Sequence, residues 1–128
     1  MKNEINKMPE PIALWIVELR SGKYEQSTNS LQNKLGFCSL GVACCTARNN
    51  GIEVVTNEDG VLKGHSLDSQ EKTLEWLKLK GPNGLFKGCG FNGHYSLVNL
   101  NDNLGLSFEK IADFIEERWK DLVKINVK

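Results

Sequence analysis

Apolar residues at Ile12, Trp15, Ile16 and Leu19 fall at spacings of three, one and three, the signature of one buried face of an α-helix. Pro9 and Pro11 suit the entry of such a helix, because a first-turn proline lacks only an N–H that has no partner there anyway. Gly22 can take the positive φ that stops it. The pattern predicts a helix over 10–21, behind a polar, flexible tail over 1–8. Lys23 to Ser30 has no period and reads as loop or short strand, after which Leu31, Leu35 and Phe37 are expected to lead the chain inward. From Cys38 the residues are small and apolar up to the stop signal Asn49-Asn50-Gly51, which predicts a buried helix over 38–49. Gly41 and Ala43 there leave room for another element to approach closely.

Ile52 to Thr56 alternates and reads as a strand; Asn57-Glu58-Asp59-Gly60 is a turn, and Val61 to Lys63 returns as a second strand. Asp68 and Glu71 have the spacing of a capping box ahead of a helix over 69–79, closed by Gly81-Pro82. Gly81 to Gly93 is too rich in turns for long elements, with Leu85-Phe86 and Cys89 to Phe91 able to pair briefly. Tyr95 to Leu100 alternates and reads as a strand or extended segment. Ser107 then caps a one-faced helix over 108–123, whose acids come early and bases late, as the helix dipole prefers. The sum is an α+β fold: a single compact domain over 9–128, with helices near 10–21, 38–49, 69–79 and 108–123 and short strands or hairpins between them.

Composition narrows what such a domain does. The 128 residues are enough for one core and short for two. Sixteen basic residues balance sixteen acidic ones, without a basic half, which disfavours a nucleic-acid binder. No apolar run reaches the ~20 residues that span a bilayer, and the polar start has no secretory core behind it. Four cysteines in such a chain read as reduced thiols in a cytosol.

The candidate chemistries then separate. Cys38, Cys44, Cys45, Cys89, His65 and His94 lack metal-knuckle spacing, so no metal is expected, and Cys38 and Cys45 share a helix face in the manner of core thiols. Cys89 and His94 are the one pair suited to a thiolate nucleophile, and no motif frames them. The glycine-dense loop beside Lys87 is no P-loop, although its N–H groups with Lys87 can hold an anion. No catalytic residue or cofactor is expected. The remaining candidate is the corner after the first helix. Arg20 can grip a phosphate bidentately, Lys23 adds a point charge, Tyr24 offers a face for a base, and Ser21 and Gln26 offer polar contacts. The same residues serve equally as a helix stop, with Arg20 on the helix end and Tyr24 on Trp15. Asn101 and Asp102 form a second rim, where Asp102 accepts from a ribose or closes an Asx-turn.

Leu19-Arg20-Ser21-Gly22-Lys23-Tyr24-x-Gln26, Phe37-Cys38-x-Leu40-Gly41-Val42-x-Cys44, Glu75-Trp76-Leu77, and Asn101-Asp102 followed by Gly105-Leu106-Ser107-Phe108-x-x-Ile111-Ala112-x-x-Ile115-Glu116 occur in this order. As separated islands over residues 12–117 they resemble a family of small uncharacterised tailed-phage and prophage proteins. The resemblance implies a viral origin and work in the host cytosol, and it carries no established activity. The chain departs from it after Gln26, where Ser27-Thr28-Asn29-Ser30 replaces further glycines and arginines, so an expected arginine contact is missing. Small phage accessory proteins are often anti-defence factors. Through that association the chain is expected to sequester a nucleotide-derived host signal, of the cyclic or amino-acid-linked ADP-ribose type, without turnover and as a homo-oligomer. A protein-interaction module is the alternative, and a nucleotide-cleaving enzyme using Cys89 and His94 is the third possibility.

Overall fold

Helix α2, Ser39–Asn49, is buried from Ser39 through Ala47, and the other elements are arranged around it. A helix apolar all round has to be covered on every side, and here α1, α3 and α4 all pack on it. The computed structural model describes residues 7–86 and 95–124. Within them five α-helices and one two-stranded hairpin form an α+β fold.

Helix α1, Glu10–Arg20, buries Ile12, Trp15, Ile16 and Leu19, as the spacing predicts, and Gly22 follows at φ +78°. Its Trp15 indole N–H donates to the Ser39 carbonyl at 3.0 Å, tying α1 to the start of α2. Cys38 occupies the N-cap of α2, and Leu31 crosses directly over that end. A Cβ on Gly41 would lie 1.9 Å from the Leu31 carbonyl oxygen, so only glycine fits the expected close approach.

Strands β1, Gln32–Asn33, and β2, Gly36–Phe37, pair antiparallel with Gln32 opposite Phe37. The Asn33 side-chain oxygen accepts from the N–H groups of Leu35 and Gly36 and locks the turn. Leu35 at its tip is 76% exposed, which corrects the expectation that it leads inward; Leu31 and Phe37 do face the core. Residues 25–27 lie along the other side of β2, with Ser27 N–H on the Phe37 carbonyl and Phe37 N–H on the Glu25 carbonyl.

The expected strand pair over 52–63 is reduced to a Thr56–Leu62 bridge beside an Asn57 turn. The buried Gln70 side chain takes the place of a neighbouring strand. Its amide bonds both the N–H and the carbonyl of Val55, at 2.8 and 2.7 Å, and reaches the Lys63 carbonyl. The third helix is shorter than expected: a 3-10 turn over Leu67–Ser69 precedes α3, Glu71–Leu77. The anticipated Asp68–Glu71 capping box is replaced by Ser66, whose hydroxyl accepts from Asp68 N–H.

Tyr95 to Leu100 is not a strand. Ser96 caps helix α4, Leu97–Asp102, by accepting from Asn99 N–H, and only Ser96 itself bridges to Leu85. A six-residue segment with a hydroxyl cap and apolar Leu97 and Leu100 three apart satisfies a helical turn as well as an alternating strand. Cys89 to Phe91 lies outside the described residues. Helix α5, Phe108–Leu122, carries the expected Ser107 cap and packs mainly along α1, with non-helical backbone at Arg118. After it, Val123 bridges Leu79. Among the described residues no helix is long and apolar enough to cross a membrane.

Candidate functional site

The C-terminal end of α1 and the loop after it hold five of the sequence-predicted residues. Arg20 reaches across to α5, where its Nη2 lies 2.7 Å from Asp113 and 2.9 Å from Glu116, with Glu109 at 3.8 Å from Nε. The bonds from Glu116 and Asp113 raise the pKa of the guanidinium further still. Arg20 is therefore a clasp between two helices, not a cap on its own helix. Ser21 donates its hydroxyl to the Glu18 carbonyl and accepts from Lys23 N–H, which closes the helix end.

Tyr24 and Lys23 both turn to Glu18. The phenol donates to Glu18 Oε1 at 2.8 Å, and the Lys23 ammonium lies 3.3 Å from the same carboxylate. Burial first, and the Glu18 bond second, raise the Tyr24 pKa above its ordinary value. Its ring packs edge-on against Phe37 at 5.4 Å, where Trp15 had been the expected neighbour.

Gln26 does meet the second rim. Its Nε2 donates to Asn101 Oδ1 and to the Leu106 carbonyl, both at 2.8 Å. Asn101 is 1% exposed; its Oδ1 also accepts from Ser39 N–H, while Nδ2 donates to the Ser27 carbonyl and to Asp102. Asp102 Oδ2 accepts from Asn29 N–H at 3.2 Å. Asn29 is held at φ +74°, a left-handed conformation that asparagine tolerates better than most residues. Its carbonyl meets His65 Nδ1.

The structure thus brings Gln26, Asn101 and Asp102 together and adds His65 and Asn29. Arg20 is directed to the acids of α5, and Tyr24 and Lys23 to Glu18. His65 was not singled out from the sequence as part of this corner; it sits in an isolated Gly-His-Ser turn 36 residues from Asn29, and no local spacing joins them. Lys87, and the Cys89–His94 pair, lie outside the described residues.

The remaining described chemistry is plain. Cys38, Cys44 and Cys45 are buried free thiols. Burial pushes Cys38 up to about 11 and Cys44 up to about 12, and raises Cys45, so none of the three is a thiolate near neutrality. Among the described residues no three His, Cys, Asp or Glu side chains are grouped to hold a metal. Two adjoining clefts of about 320 and 520 Å³ run between residues 51–55 and α3, and Glu53 and Lys72 line both. Their ion pair is 2.7 Å long, and Lys72 lowers the pKa of the Glu53 carboxyl. Asp68, Glu71 and Glu75 also line these clefts, so an anionic ligand meets mostly like charge there.

No curated protein and no solved structure matches the chain. Residues 1–119 match the model of a domain of unknown function, DUF8296, and the chain belongs to that family.

Proposed function

We propose that the chain is a phage-encoded binding protein that sequesters a host nucleotide-derived signal, of the cyclic or amino-acid-linked ADP-ribose type, without turning it over. In this proposal it works in the host cytosol as a homo-oligomer. The carrying observation is the meeting of Gln26, Asn101 and Asp102, residues 73 to 75 positions apart in three of their contacts, at one corner with Asn29 and His65. The Asn101 carboxamide is taken up by Gln26, Ser39, Ser27 and Asp102, so it positions the corner, and the groups offered to a ribose hydroxyl or base edge are the Asp102 carboxylate and the exposed His65 imidazole.

Protonated, buried Cys38, Cys44 and Cys45 favour binding over thiol chemistry at those positions. A phosphate reaching Arg20 has to exchange with Asp113 and Glu116, so the ligand's charge calls for further cations from another segment or a second protomer. The test is to incubate the protein with ADP-ribose and its cyclic and amino-acid-linked derivatives, wash, denature by heat and weigh what is released. Intact nucleotide is the expected result. A cleaved product moves the protein to the enzymes, and no retention of any derivative overturns the proposal.

The second proposal, a protein-interaction module, is favoured by Leu35, 76% exposed on a turn locked by Asn33. In this second proposal the Leu35 side chain is the apolar group that a partner covers. Leu35→Asp abolishes partner capture in that case and leaves nucleotide retention unchanged.

A further inference from the structure

Residues 52–56 run beside α3 with the alternation of a strand: Ile52, Val54 and Thr56 are half-buried, and Glu53 and Val55 are exposed. One side chain shows what this segment accepts. The Gln70 carboxamide takes a hydrogen bond from Val55 N–H and gives one to the Val55 carbonyl, the pairing that a neighbouring peptide group makes. The pairing stops there. Among the described residues nothing meets the N–H or the carbonyl of Glu53. In an extended run, residues two apart present their backbone groups to the same side, so those of Glu53 face as Val55 faces Gln70, toward α3.

Water satisfies an exposed backbone pair, and an open edge by itself implies no partner. Here the edge borders a cleft. A space of about 520 Å³, lined by Ile52, Glu53, Lys72, Glu75 and Trp76, lies between it and α3, and a second of about 320 Å³ continues past Val55. Charge selects the occupant. Glu53, Asp68, Glu71 and Glu75 set four carboxylates against the one ammonium of Lys72 among the lining residues. Lys72 spans the cleft to Glu53 at 2.7 Å, with side chains 66% and 77% exposed, so this pair is weak and open to exchange. Half-buried Trp76 lines the same space, where an indole suits the apolar stem of a cationic side chain and its charge.

We propose that this cleft docks an extended, lysine- or arginine-bearing peptide segment of a partner protein. The segment pairs its backbone with Glu53 as Gln70 pairs with Val55, and it lies along α3. Its cations displace Lys72 from Glu53 and meet Glu75 and Glu71. A nucleic acid meets like charge there, and a small free cation leaves the Glu53 backbone groups without a peptide partner. The cleft is separate from the Gln26 corner and from Leu35, so it stands or falls independently of both readings of function.

The probe is the synthetic peptide acetyl-Lys-Val-Lys-Val-Lys-amide, titrated into the full chain at low ionic strength and followed by amide chemical shifts. Saturable binding is expected, with shifts centred on residues 52–55 and 71–76, and it weakens as salt is added. The same peptide with glutamate in place of lysine does not bind. Methylation of the peptide's internal amide nitrogens, which keeps every charge and removes the backbone donors, also abolishes binding. The Glu53→Gln/Glu75→Gln variant loses at least about fivefold in affinity. Glu10→Gln/Glu58→Gln, which alters exposed acids elsewhere, does not, and both variants melt with the wild type because these side chains are exposed. The absence of saturable binding overturns the site, as does equal affinity in the two variants. Undiminished binding of the methylated peptide overturns the pairing at Glu53. Tighter binding of spermine or an oligonucleotide with the same shifts overturns the assignment to a peptide. Shifts at these residues that grow with protein concentration alone give the edge to a second copy and overturn the partner.

Discussion

Asn101 uses one carboxamide to join three stretches of chain. Its oxygen accepts from Gln26 and from Ser39 N–H, and its nitrogen donates to the Ser27 carbonyl. Replacing it by leucine keeps much of the volume and leaves Ser39 N–H and the Ser27 carbonyl buried without these partners. Each such loss costs roughly 1–3 kcal/mol, so Asn101→Leu is expected to lower stability by about 3 kcal/mol in urea titrations, while the less buried Gln26→Ala costs about 1 kcal/mol. From the sequence, Asn101 is legible as a polar residue near a turn, and so is Gln26 as a polar residue in a loop. Their contact is not, because a hydrogen bond across 75 positions leaves no periodic trace. Arg20 shows the same limit: its residue type announces a carboxylate or phosphate partner, and only the packing of α1 along α5 selects Asp113 and Glu116.

Helices α1 and α5 are legible because each is long enough for the 3.6-residue period to stand out, with end signals in Gly22 and Ser107, and α2 because an unbroken run of small apolar residues stops at Gly51. Helix α4 is not, since six residues do not separate the two periods, and the strand expected at 52–56 finds the Gln70 side chain in place of a neighbouring strand. Two glycines test how elements approach each other. Gly41→Ala drives a methyl into the Leu31 carbonyl and is expected to cost at least about 2 kcal/mol, since overpacking a well-filled contact costs ~1–3 kcal/mol. Gly22→Ala meets nothing within 4 Å, and only its positive φ opposes it, so a loss of about 1 kcal/mol is expected. Thermal unfolding of the two variants separates these cases.

Across the whole molecule, thiols and a phenol shielded from water contribute to the response to alkaline pH. An unfolded thiol loses its proton near pH 8.5 and an unfolded phenol near pH 10. Folding holds the proton on Cys38 up to about 11 and on Cys44 up to about 12, and raises Tyr24 as well. Between those limits the unfolded chain binds fewer protons than the folded one, so the stability from these groups is full below about pH 8 and falls as pH rises. Urea midpoints measured from pH 7 to 11 are expected to decline, with a shallower slope in Cys44→Ala. The balanced charge and single domain size are readable from composition, whereas the gathering of acids beside Arg20 and in the clefts along α3 appears only when the chain is folded. The Asn101 junction also sets an order in time. Its contacts span 62 to 75 positions, so bringing them together closes large loops, a slow step with an entropic cost that nearby helical turns avoid. On a translating ribosome, α1 and α2 can form as they emerge, but the Gln26 corner has to wait until residue 101 has left the exit tunnel.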